Sequence, residues 1–201
     1  MYDSSIVSNV PAGFDGGVGS ALNLRHATRP GFGKRGANSK LLFHNPIRMF
    51  QYNKDGLLLG IHDTVNDITN EGKNLILDVM FNNGTVVANN SWFLGLISLV
   101  SYTALAATDV MNSHSGWTEF TGYTQATRVA WGSGNAAAQS TTNSVAATFD
   151  INATGTVKGI FATSVNTKAG TTGKLWATAL FAADVPVSNG DSLKVTYTVS
   201  C

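Results

Sequence analysis

Residues 188–200 read SNGDSLKVTYTVS, and this stretch decides the fold. Ser188, Asn189, Gly190 and Asp191 form a run of turn-forming residues. After them Leu193, Val195, Tyr197 and Val199 alternate strictly with Lys194, Thr196, Thr198 and Ser200. A period of two with β-branched and aromatic residues predicts a β-strand with one face in a core and the other in solvent.

Working outward, GTVKGIFATSV (155–165) and KLWATALFAADV (174–185) flank the turn NTKAGTTG and read as an antiparallel hairpin. VAATFDI (145–151) places Val145, Ala147, Phe149 and Ile151 on one face. SWFLGLISLV (91–100) is apolar on both parities, as a strand buried on both sides is. Towards the N-terminus KLLFH and IRMFQY, separated by Asn45 and Pro46, read as short strands or one bent strand. GLLLGIH returns after the turn Lys54-Asp55-Gly56. One helix interrupts the pattern. DITNEGKNLILDVMF (67–81) has Asp67 and Glu71 at its start and Leu75, Ile76, Val79 and Met80 on one face. It stops at Asn82-Asn83-Gly84, and Gly72 costs it about 1 kcal/mol relative to Ala. The expected fold is mainly β: an antiparallel β-sandwich or jelly roll with one α-helix and an extended N-terminal arm.

The chain of 201 residues suits a single domain, placed at 40–201, with the arm at 1–39. The arm carries seven glycines between Gly13 and Gly36 and few periodic aliphatics. No acidic residue occurs between Asp15 and Asp55, whereas Arg25, Arg29, Lys34, Arg35, Lys40, Arg48 and Lys54 all fall there. That asymmetry fits a basic arm that docks on a partner or a solvated tail. The isolated apolar residues Phe14, Leu22, Leu24 and Phe32 favour docking. With a formal net charge of +1 the chain has no global field for nucleic acid, and no apolar run reaches the length of a membrane span. It begins without the pattern of a signal peptide, so synthesis in the cytoplasm is expected. The single cysteine, Cys201, allows neither an internal disulfide nor a thiolate cluster.

Chemistry is sparse. GTTGK (170–174) is too short for a phosphate loop and sits in a hairpin turn, and the glycines at 13–19 neither follow a strand nor open a helix. His26, His44, His62 and His114 are isolated, and His62 and Asp63 point to opposite faces of a strand. No metal, cofactor or catalytic residue is therefore assigned. The densest segment is DVMNSHSGWTEFTGYTQATRVAW (109–131), where Asp109 and Glu119 are candidate paired carboxylates. Its Trp117, Phe120, Tyr123 and Arg128 are the residue types that interface centres concentrate. The same aromatic residues equally suit a core.

The stretches NEGKNLILDVMFNNGT, WFLGLI, ALAATDVMNSHSGWTEFTGYTQATRVAW, INATGTVKGIFATS, LWATALF and VSNGDSLKVTYTVS resemble a family of small virion proteins of tailed bacteriophages, over roughly residues 68–200. The resemblance implies a structural, non-enzymatic role in the virion. The leading expectation is a capsid cement or decoration protein that binds the major capsid protein as a homo-oligomer, dimer or trimer. Its partner-binding residues are expected to be Phe14, Leu22, Arg25, Arg29, Phe32, Lys34 and Arg35 in the arm and Trp117, Phe120, Tyr123 and Arg128 in the domain. A tail or fibre adaptor is the alternative, and a carbohydrate-binding sandwich a more distant one.

Overall fold

A computed structural model describes residues 42–88 and 91–201. The arm residues Phe14, Leu22, Arg25, Arg29, Phe32, Lys34 and Arg35 lie outside the described residues. Among the described residues, eleven strands and one helix follow in the order β1 (Pro46–Tyr52), β2 (Leu58–Val65), β3 (Asp67–Ile68), α1 (Asn70–Phe81), β4 (Phe93–Ser98), β5 (Glu119–Phe120), β6 (Val129–Ala130), β7 (Ser140–Thr142), β8 (Ala147–Asp150), β9 (Gly155–Thr163), β10 (Leu175–Val187) and β11 (Ser192–Ser200). They form two antiparallel sheets, a β-sandwich. The first runs β2-β1-β11, with β8 and β7 pairing successive halves of β11. The second runs β3-β10-β9-β4, with β5 and β6 sharing the far side of β4.

The closing strand behaves as its alternation predicts. Leu193, Val195 and Tyr197 are buried against the second sheet, while Lys194, Thr196 and Thr198 face outward. Across from them β4, β9 and β10 contribute Leu94, Leu96, Ile160, Ala162, Ala179 and Phe181 to the same core. In β9 the parity changes after Val157, because both its neighbours shift register there. Gly159 sits at that irregularity, where a Cβ would come within 2.1 Å of the Ala179 carbonyl oxygen, so only glycine lets the strands approach.

The second sheet is also covered on its outer side. The twenty residues between β4 and β5 fold back over it, and Ile97, Met111, Trp117, Phe161 and Leu175 form a second core. This explains why β4 is apolar on both parities: Leu94 and Leu96 enter the inter-sheet core, Ile97 the outer one.

Several sequence expectations are corrected. Asp67 belongs to β3, paired with Thr178, and the helix starts at Asn70 behind Thr69, whose hydroxyl accepts from the Gly72 N–H at 3.0 Å. The helix is hydrogen-bonded to β10 and its approach through its first turn: Glu71 accepts from the Leu175 N–H and from Lys174. Leu75, Ile76 and Val79 are half-buried, but Met80 is exposed, as are Leu77 and Phe81. Gly72 is needed where it stands, since a Cβ there would come within 2.4 Å of the Trp176 carbonyl oxygen. Val145 is exposed because β8 begins two residues later. Among the described residues of KLLFH, 42–44, only His44 bridges a strand, Ser200 of β11.

Tyr197 is the polar centre of the core. Its hydroxyl accepts from Asn66 Nδ2 at 2.6 Å and Trp176 Nε1 at 2.8 Å. Burial pushes the phenol's pKa above its ordinary value, against the opposing pull of those two donors, so the group stays neutral. Urea unfolding of Tyr197→Phe is expected to show a loss of about 1–3 kcal/mol, because two buried donors lose their acceptor. Val195→Ala should cost about 2–5 kcal/mol through the cavity it leaves, and Thr196→Ala less than about 0.5 kcal/mol. Equal losses at 195 and 196 would mean that the first sheet is buried on both faces.

Candidate functional site

The segment 109–131 supplies the outer cover of the second sheet and then two of its strands. Its fold begins with a polar pin: Asp109 Oδ2 accepts from the Ala106 N–H at 3.0 Å and from Trp117 Nε1 at 2.9 Å. Trp117 thereby lies flat enough to stack His114 at 3.9 Å on one side and to tilt against Phe161 at 5.0 Å on another. The His114 ring Nδ1 is 3.1 Å from the Trp117 carbonyl oxygen, completing the turn.

Beneath that cover Glu119 of β5 and Arg128, just before β6, form an ion pair at 2.9 Å whose side chains are 5% and 1% exposed. Residues nine apart meet because both short strands pair with β4, which places Glu119 beside Ile97 and Val129 beside Leu94. The pair is hydrogen-bonded on every side. Glu119 also accepts from the Ala169 N–H at 2.7 Å and Tyr123 Oη at 3.4 Å, while Arg128 donates to the carbonyls of Val165 and Gly170 at 2.9 and 2.8 Å. The guanidinium stands over the Phe161 ring. Burial, followed by the charge of Glu119, raises the Tyr123 phenol well above its usual range. Lys168 closes the rim, donating to the carbonyls of Tyr123 and Gln125, its ammonium 3.9 Å from the Tyr123 ring centre.

His114, Trp117, Glu119, Arg128 and Phe161 line a hollow of about 220 Å³. Its floor is a neutralised ion pair whose lone pairs are committed to the protein's own donors. A general base or nucleophile needs a free lone pair within reach of a reacting atom; both Glu119 oxygens are engaged by the protein's own donors, whereas Asp109 accepts through Oδ2 alone. The two carboxylates belong to separate hydrogen-bond sets. What the arrangement does is lock the β9–β10 connection to β5 and β6.

Trp117, Phe120, Tyr123 and Arg128, expected as contact residues, are all interior. Trp117 serves the outer core; Phe120 and Tyr123 enter the inter-sheet core beside Trp131. The other residue-level expectations divide. His62 and Asp63 do point apart: His62 lies 3.2 Å from Gln51 Oε1 and tilts against Phe181, whereas Asp63 faces outward to Arg48. Among the described residues no three His, Cys, Asp or Glu side chains are grouped as metal ligands.

Sequence reasoning missed the outward apolar side of β2. Leu58, Leu59, Ile61 and Val65 are 44%, 52%, 51% and 53% exposed. The signal was present in GLLLGIHDTV, which carries Leu57, Leu58, Leu59, Ile61 and Val65 although it forms the edge of a sheet among the described residues. It differs from the similar run in β4 because no connecting segment folds over it among the described residues. No protein-family model and no curated protein matches the chain.

Removing one partner of the buried pair leaves the other charge without compensation. Glu119→Gln is therefore expected to lower unfolding free energy by about 3–5 kcal/mol in chemical denaturation at neutral pH. A change below about 1 kcal/mol would show that the pair is open to water in solution.

Proposed function

We propose that this chain is a non-enzymatic structural protein of a tailed-bacteriophage virion, most specifically a cement or decoration protein. It binds the outer surface of the capsid as a homo-oligomer, and its basic N-terminal arm extends over neighbouring capsid subunits. The virion is its location and the major capsid protein its partner.

The observation that carries this reading is the division of the domain's polar and apolar groups. The residues that resembled a reaction centre are committed to packing, with Glu119 and Arg128 closed on each other. Large apolar side chains instead face outward on β2 and on the last turns of α1, where Leu77, Met80 and Phe81 are exposed. Exposed apolar surface of this kind is what protein contacts use. The sequence resemblance over residues 68–200 supplies the particle. The basic stretch between Asp15 and Asp55 supplies a means of attachment that weakens as salt is raised.

Copy number decides between head and tail. Quantified against the major capsid protein in purified virions, the chain is expected at a number comparable with the capsid lattice positions. A few to a few tens of copies per particle would overturn the capsid role and leave the tail or fibre adaptor.

A further inference from the structure

Among the described residues the first sheet ends at β2. This strand hydrogen-bonds to β1 on one side and, among the described residues, to no strand on the other. Proteins that remain monomeric guard such an edge with lysine, proline, inward charge or a covering segment, because its free N–H and C=O groups invite another strand. Residues 58–65, LLGIHDTV, contain no lysine, arginine or proline. Their one charge, Asp63, points outward and is already held by Arg48 of β1 in a two-pronged contact, 2.8 Å on each prong. The neighbours on the same outward face are apolar: Ile61 stands across from Phe50, and Leu58 pairs with Tyr52.

We infer that two copies of this chain pair through their β2 strands, antiparallel about a two-fold axis, so that the first sheet continues from one copy into the other. The inference deepens the homo-oligomeric part of the proposed function and rests on it. Three features fit a second copy as the occupant. An open edge accepts an extended strand, because only a strand repeats donors and acceptors at the matching interval. The edge carries no unpaired charge, so a charged partner or a phosphate backbone gains no counter-charge there. A second β2 brings the same neutral apolar surface with its own aspartate already satisfied. Finally, an isologous contact requires a surface complementary to itself. Centring the pairing on Ile61 sets Leu57 opposite Val65 and Leu59 opposite the Arg48–Asp63 fork. That register keeps the two aspartates apart and uses the whole strand.

Sedimentation of the full chain across a concentration series tests this without any capsid present. The wild-type chain is expected to dimerise, and Ile61→Lys to raise the dissociation constant about tenfold or more by placing an ammonium at the centre of the contact. The side chain is half in solvent, so the thermal transition of the variant's dilute monomer should stay unchanged. In a Cys201→Ser background, Ile61→Cys should give a disulfide-linked dimer on mild oxidation, because directly opposite Cβ atoms lie about 4.5–5.5 Å apart. Leu77→Cys on α1 should give none. A chain that stays monomeric throughout overturns the inference. So does a dimer that Ile61→Lys leaves intact or that Leu77→Lys dissociates, and so does an Ile61→Lys variant whose only loss is retention on capsids, which would make another protein the occupant. A β2 dimer found in a chain present at tail copy number would overturn the capsid reading alone.

Discussion

Tyr197 is the point on which the rest of the structure depends. Its side chain is fully buried in the inter-sheet core, yet each of its polar groups is used by a different part of the chain. The hydroxyl takes Asn66 from the β2–β3 connection and Trp176 from β10. The backbone N–H donates to Asn143 Oδ1 at 2.8 Å, and the carbonyl accepts from Trp131 Nε1 at 2.8 Å and Thr142 Oγ1 at 3.1 Å. A buried polar network restricts the arrangements a core can adopt, even though Asn66 Oδ1 finds no partner among the described residues. Here it fixes where the chain crosses from the first sheet to the second, and it seats the tryptophan that ends the 109–131 segment.

From that seat the asymmetry of the molecule follows. The segment leading to Trp131 covers the outer face of the second sheet, and the Glu119–Arg128 pair ties that cover to the β9–β10 connection. The ion pair's value lies in position more than in net energy, since desolvating two charges offsets most of their attraction. No comparable cover reaches the first sheet among the described residues. Its outer face keeps threonines, Lys194 and the Arg48–Asp63 fork, and its edge keeps four exposed aliphatic side chains. One side of the sandwich is therefore finished within the chain, and the other is suited to being finished by contact.

Much of this was legible in the sequence. The alternation in β11 is local and strict, so burial of Leu193, Val195 and Tyr197 could be read directly. The doubly apolar β4 announced two buried faces. What escaped was set by distant residues. The helix looked amphipathic, but only its first turn finds Trp176 and Leu175, so Met80 and Phe81 remain outside. Val145 continued the alternation of β8 by letter but lies before the strand. Trp117 and Arg128 looked like interface residues because cores and interface centres use the same side chains. Only the meeting of Arg128 with Glu119, and of Trp117 with Asp109, separates the two uses. The β2 edge was missed for the opposite reason: its letters read as the returning strand of a hairpin without saying which side stays open, and exposure is a property of topology.

The central claim is that the chain acts by contact through its unfinished side. Amide hydrogen exchange, comparing the dilute full chain with the chain assembled in purified particles, tests it most directly. The account predicts that amides of residues 58–65 become slower on assembly, while those of residues 99–118, which the fold already lays over the second sheet, keep their rates. Protection gained over 99–118 with β2 unchanged would contradict it.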